Sequence, residues 1–263
     1  MSKNNFIFEE QTYLANKNPH ERDTHISFDE GPHIYTIDGE RGYTSVTTWC
    51  HSHFEHFNPD NIIDKMMKSH KWPQSKYYGM TKQQIKDLWD KNGKEASTAG
   101  TKMHYDIECF YNNQDVNNDS VEFKYFTDFH NKHKNKIPYR TEWMVYDKEL
   151  KFAGSIDMTY INKDGTIDIY DWKRCKEIKT HNKWQSSKTN CISHLPDTNY
   201  WHYSLQLNTY KYILEKQYGK QIKNMYLVVL HPNNHNGTFI KYKVHHLDDE
   251  MNDLIKLRRK NLI

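Results

Sequence analysis

Apolar and polar positions alternate along this chain with two distinct periods. Ile167, Ile169 and Asp171 alternate with Asp168, Tyr170 and Trp172, the two-residue period of a strand. An apolar-rich run from Phe152 leads to Asp157 and continues through Met158, Tyr160 and Ile161, and Asn162-Lys163-Asp164-Gly165 between the runs is a turn signal. These patterns predict strands over 141–148, 152–161 and 166–173. The unbroken apolar run Met225 to Leu230 predicts a buried strand over 222–230, with an edge strand over 239–244. His33 to Gly39 reads as a short strand and turn.

Helical spacing supplies the rest. Met103, Ile107 and Phe110 recur on one face of a helix over 101–112, and Val121, Phe123, Phe126 and Phe129 on one over 119–134. Further helices are expected at 59–70, 81–92, 203–214 and 247–259, with Trp72, Pro73 and Gly79 between the first two. The expected class is α/β, a central mixed β-sheet flanked by helices. Residues 1–30 are polar and read as a loose arm. Residues 31–263 read as one domain, with 59–98 a helical cap or arch and 100–230 the core. The segment 177–198 has no periodicity and reads as a loop that is mobile or that orders on binding.

Strand parity puts chemistry in one place. Asp171 points to the side of Ile167 and Ile169, and Lys173 to that side again. An apolar face ending in an acid and a lysine is costly unless both are paired. An ion pair at a strand end would do this, and so would a divalent metal bridging Asp157 and Asp171 with Lys173 beside it. Carboxylate oxygens suit Mg²⁺ or Mn²⁺. His104 and Glu108 share a helix face four residues apart, and a ring nitrogen there can complete a metal's shell. Glu142, one strand earlier, can hold a second metal or orient Lys173, or simply be solvated. Gln206 and Tyr210 share a face of their helix and suit hydrogen bonding to a phosphate, a base or a carboxylate. Ser45 and Thr47 carry hydroxyls able to cap the next helix or contact phosphate.

This ordered set resembles the PD-(D/E)XK nuclease superfamily, in its RecB-like branch. The matching residues are Gly100-Thr101 with His104 and Glu108, then Glu142, then Gly154-Ser155-Ile156-Asp157, then Asp171-Trp172-Lys173, then Gln206 with Tyr210. The segment Ser45 to Thr48 is similar to that of the mitochondrial genome maintenance exonuclease group and its phage relatives. The resemblance implies a restriction-endonuclease-like core. It implies metal ligation by His104, Asp157, Asp171 and the Trp172 carbonyl, with Glu108 and Glu142 supplying carboxylate for a second ion. Lys173 would orient or activate water and stabilise phosphate charge, and Gln206 and Tyr210 would hold the site or the strand. The implied activity is metal-dependent hydrolysis of DNA, by an exonuclease acting on single strands or free ends. An endonuclease, a ribonuclease of the same fold and a non-catalytic nucleic-acid-binding module remain open at this point.

The net charge of +3 is too small to argue DNA binding alone. Local distribution is more telling: Arg174, Lys176, Lys183 and Trp184 follow the catalytic strand, basic groups interleaved with an aromatic as in single-strand binding. The alternative for that run is a solvated loop. The 36% hydrophobic content is low, and 14% aromatic residues compensate in buried area. Four cysteines, Cys50, Cys109, Cys175 and Cys191, have no spacing for zinc or disulfides; two fall inside the core motifs, so no iron–sulfur cluster is expected. Free thiols predict a reducing, intracellular compartment. No run is apolar enough for a membrane helix, and the first twenty residues look like neither a secretory signal nor a transit peptide. Abundant Lys and Asn with few glycines suggest an AT-rich genome, such as that of a virus or phage.

Overall fold

A computed structural model describes residues 11–262. In chain order the elements are α1 (Tyr13–Lys17), β1 (Ile26–Asp29), β2 (Ile34–Ile37), β3 (Thr44–Ser45), α2 (Val46–Ser52), α3 (Pro59–Lys68), α4 (Lys82–Tyr111) and α5 (Val121–Lys132). They continue with β4 (Ile137–Asp147), β5 (Phe152–Ile161), β6 (Ile167–Lys173), α6 (Asn199–Gln217), β7 (Ile222–Val229), β8 (Ile240–Val244) and α7 (Asp248–Leu262). The class is α/β, with a mixed sheet flanked by helices.

β5 is the hub of a six-stranded sheet. β4 runs antiparallel along one edge of it. The other edge is shared: β3 pairs parallel at Phe152 and Ala153, and β6 pairs antiparallel from Met158 to Ile161. β7 continues the sheet parallel to β6, and β8 closes it as an antiparallel edge strand. Between β3 and β6 the stretch Gly154 to Asp157 therefore has no strand on that edge, while β4 still pairs it on the other. A sheet that splays there exposes strand ends to chemistry while both flanks stay anchored.

Two apolar layers cover the sheet. Ile167 and Ile169 pack with Leu205, Leu207 and Ile213 of α6 and with Met251 and Leu254 of α7. Tyr170 and Trp172 pack on the opposite side with Ile107 of α4 and Phe126 and Phe129 of α5. The strand parity read for β6 holds. β5 changes layers at the splay: Phe152, Ala153 and Ile156 belong to the first layer, Met158 and Tyr160 to the second. Among the described residues no helix is long and apolar enough to cross a membrane.

Three expectations need correction. Helices expected at 81–92 and 101–112 are one, the 30-residue α4, started by a Thr81–Gln84 capping box. Its middle, 91–98, is exposed all round, so no apolar stripe announces it, and Gly93 reads as a break. At about 1.5 Å per residue α4 is about 45 Å long, joining the core to a small helical unit in which α3 packs on α4 through buried Ile63 and Ile85. Next, residues 11–30 are not a loose arm. Asp23 takes bonds from Arg140 Nη1 (2.7 Å) and Trp143 Nε1 (3.0 Å), and Leu14 and Ile26 are buried. Asn18, Arg22 and Asp23 spend polar groups on β4; residues 1–10 of that arm lie outside the described part. Finally, 177–198 is pinned. Ile178, Ile192 and Leu195 are buried, and Ser187 Oγ and Lys188 N both donate to the His53 carbonyl. Anchors at irregular spacing leave no periodic trace.

Candidate active site

Asp157 stands at the splay. Its Oδ2 accepts a hydrogen bond from the Trp172 backbone N–H at 2.8 Å, so a side chain takes the place of the missing ladder carbonyl. In a strand the N–H and C=O of one residue share an edge, so the Trp172 carbonyl faces the same gap. The Trp172 ring is elsewhere, edge-on to Phe126 and Phe129 in the second layer. Opposite Asp157, Glu142 interrupts β4 with φ of +40°, a left-handed conformation that costs a non-glycine residue about 1–3 kcal/mol. The strain turns its carboxylate into the gap, where Oε2 accepts from Ser155 Oγ at 2.8 Å.

His104 reaches the same point from α4. Its Nδ1 lies 3.5 Å from Asp157 Oδ2 and 3.7 Å from Glu142 Oε1. Ligand atoms of His104, Glu142 and Asp157 all fall within 4.8 Å of one another. Burial alone would push the His104 imidazole down, but the charges of Asp157 and Glu142 override it and hold it at about 9. Burial, aided by the Asp171 charge, pushes the Asp157 carboxyl up to about 7.

Asp171 and Lys173 form the other half. Asp171 is 2% exposed. Lys173 Nζ sits 2.7 Å from Asp171 Oδ2, yet that oxygen has no aligned hydrogen-bond donor. Burial would lower the Lys173 ammonium; the Asp171 and Asp157 carboxylates outweigh it and hold the lysine above its usual range. The Nζ also lies 4.5 Å from the centre of the Tyr203 ring. Tyr203 escaped the sequence reading, although it stands three residues before Gln206 and seven before Tyr210, on their helix face.

The Gly154-Ser155-Ile156-Asp157 stretch is now explained residue by residue. Gly154 leaves room for Tyr210, Ser155 holds Glu142, Ile156 packs in the core and Asp157 faces the histidine. Gln206 bonds to Tyr210, whose buried hydroxyl lies near Asp157 and Asp171.

Other expected site residues are placed differently. Glu108 is half-buried one helical turn beyond His104 and does not join the three-residue cluster. Ser45 Oγ accepts from Thr48 N at 3.1 Å as the N-cap of α2, while Thr47 and Thr101 are exposed. Arg174 Nε is committed to Glu122 at 2.7 Å, a link between β6 and α5 rather than a free cation. Lys176 and Lys183 are exposed, and Trp184 is 91% exposed.

No family model and no curated protein matches this chain. Among solved structures, SSO0001 is similar at 13% identity over 54% of this chain and 58% of its own length, with a TM-score of 0.30. So shallow an overlap bears on neither family nor activity.

Two features of the site itself fit a divalent cation. The carboxylate oxygens suit Mg²⁺ or Mn²⁺, and the imidazole nitrogen beside them tips the set toward a transition-metal ion such as Mn²⁺. Asp171 Oδ2 is buried with no aligned hydrogen-bond donor although Lys173 Nζ lies 2.7 Å away, and burial, then the Asp171 charge, pushes the Asp157 carboxyl up to about 7. A cation in the gap would satisfy both.

Proposed function

We propose that this chain is a metal-dependent deoxyribonuclease of the PD-(D/E)XK type, an exonuclease acting on single strands or free ends. The observation that carries the reading is the gap between β3 and β6, where Asp157, Asp171 and Lys173 converge with His104 and Glu142 from opposite sides. A structural ion pair accounts for Asp171 with Lys173. It leaves unexplained why Glu142 accepts backbone strain to face a histidine and a second acid.

His104, Asp157 and Glu142, with Asp171 and the Trp172 carbonyl, would hold Mg²⁺ or Mn²⁺. Such a cation supplies Lewis acidity, neutralising phosphate charge and acidifying water. The chain's own contribution centres on Lys173. Held protonated between Asp171 and the Tyr203 ring, it acts as a hydrogen-bond donor that orients water and balances phosphate charge. Water adds to phosphorus, the ester P–O bond breaks, and a phosphate monoester and a hydroxyl leave. Tyr210 against Gly154 keeps β5 seated while charge develops.

Single strands are favoured by exposed aromatics among basic residues. Trp184 stands beside Lys183 on the 177–198 segment, Phe57 is exposed just before α3, and Tyr78 is exposed between α3 and α4. Unpaired bases stack on such rings. The test is cleavage of end-labelled linear DNA against a closed circle and an RNA, with Mg²⁺ or Mn²⁺. Loss of the linear strand with the circle spared is expected. Cutting of the circle would make it an endonuclease, and loss of RNA alone a ribonuclease.

A further inference from the structure

Lys173 has imidazole neighbours as well as acidic ones. His51 in the last turn of α2, His56 in the link to α3 and His202 in α6 gather near it from three segments. The His51 and His202 rings are 5.5 Å apart. His202 is fixed in place: Nε2 bonds Asp197 Oδ1 at 2.8 Å, and its ring lies 4.0 Å from that of Phe54, tilted by 32°. His51 differs, because it is exposed and the side chains that bear on it are Lys173 and two further imidazoles. Burial and then His202, Lys173 and His56 all push its imidazole below the ordinary value.

Gathered imidazoles and an ammonium repel one another, and an anion relieves that repulsion. The cluster adjoins the lysine assigned above to phosphate chemistry, is open to solvent at His51, and is backed by side chains locked in position. We propose that His51, supported by His202 and His56, binds the phosphodiester next to the scissile one on the substrate strand. This rests on the reading of Lys173 as part of a phosphodiesterase site. It assigns the site a second contact along the strand, so that a substrate must present two successive phosphates to be held well.

The experiment compares His51→Ala and His51→Lys with the wild type on two substrates: a single-stranded deoxyoligonucleotide, and a dinucleoside monophosphate that carries only the scissile phosphate. Removing one charge-assisted contact is expected to raise KM for the oligonucleotide about tenfold, with the loss carried by KM rather than kcat. The rise should be absent with the dinucleoside monophosphate, and lysine should restore the wild-type value. An equal penalty on both substrates, or none on either, overturns the proposal. Fluorescence anisotropy with the labelled oligonucleotide, in an Asp171→Asn background, separates the two readings. If the wild type cuts nothing, the nuclease reading fails. Weaker binding by the His51→Ala form would still support the phosphate site, and unchanged binding, or no binding by either form, would overturn it.

Discussion

A Cβ on Gly154 would come within 2.8 Å of both Cε1 and the hydroxyl oxygen of Tyr210. The ring of an α6 residue thus lies directly on the backbone of β5, at the start of the stretch whose second edge is unpaired. Together with the bond from the Trp172 N–H to Asp157 Oδ2, this contact ties β5 to its neighbours where β6 leaves it beyond Met158. Gly154→Ala must push the ring away or bend the strand, and overpacking of this kind costs about 1–3 kcal/mol. The expected result is a lower urea midpoint, with a smaller penalty when Tyr210 is already leucine. Equal penalties in both backgrounds would contradict the contact.

Tyr203 supports the lysine by a different means. A ring face 4.5 Å from an ammonium attracts it, by about 0.5–2 kcal/mol where water is excluded. Tyr203→Phe should keep nearly full cleavage, because the ring and not the hydroxyl does the holding. Tyr203→Leu should lose about three- to thirtyfold in kcat with metal affinity unchanged. A phenylalanine variant as poor as the leucine one would show that the hydroxyl matters instead.

Metal binding should compete with protons. His104 is held at about 9 and Asp157 at about 7, so both carry protons near neutrality in the metal-free protein. Both must lose them to ligate. Mn²⁺ affinity, measured by calorimetry, should therefore climb from pH 6 to 9 with proton release. The sign for stability runs the other way. The folded His104 value exceeds the ordinary 6.5, so its contribution is fully present below 6.5 and lost as pH rises through about 9. The metal-free protein should weaken across that window, and His104→Gln should flatten the change. Affinity independent of pH would show that these groups are not the ligands.

Much of the fold and part of the site were legible in the sequence, for identifiable reasons. Two-residue alternation placed Asp171 and Lys173 on the α6 side of β6, and helical spacing singled out His104. Sharing a face did not bring Glu108 to the metal cluster, because a residue four positions along is also one helical pitch further up the axis. Glu142 stood among the candidates, but its backbone conformation did not show in the sequence: a left-handed φ inside a strand is a consequence of its neighbours, not of glutamate. The splay of β6 from β5 was equally silent, since pairing depends on β3 arriving from far upstream. Arg174 looked like a free cation because Glu122, its partner, is 52 residues away.

That contrast separates two basic groups. Arg174→Ala should lower thermal stability, since it breaks a part-buried pair joining β6 to α5. Trp184→Ala should leave the melting temperature alone, because its side chain is almost wholly in water. Its effect should be on oligonucleotide affinity, weakened about five- to a hundredfold if a base stacks on it. A destabilised Trp184→Ala protein, or one with wild-type affinity, would contradict this division.

Acid should attack the 177–198 segment first. His53 is buried on Trp49 and bonded through Nδ1 to Thr189 at 2.8 Å. Burial, with Lys188 adding to it, lowers His53 to about 4. Its folded value lies below 6.5, so the unfolded chain takes up the proton more readily, and stability is lost as pH falls from about 6.5 to 4. The loss from this group is at most about 3 kcal/mol. Urea midpoints across that range should fall in the wild type and much less in His53→Gln; parallel curves would rule His53 out.

The central claim is that Asp171 and Lys173 belong to a metal-dependent hydrolytic site. The most direct measurement is degradation of an end-labelled single-stranded DNA in Mg²⁺ or Mn²⁺ by the wild type, Asp171→Ala and Lys173→Ala, with binding measured alongside. The expected result is loss of the strand only with metal and only in the wild type, with both variants still binding DNA. Cleavage by either variant at the wild-type rate would contradict the account.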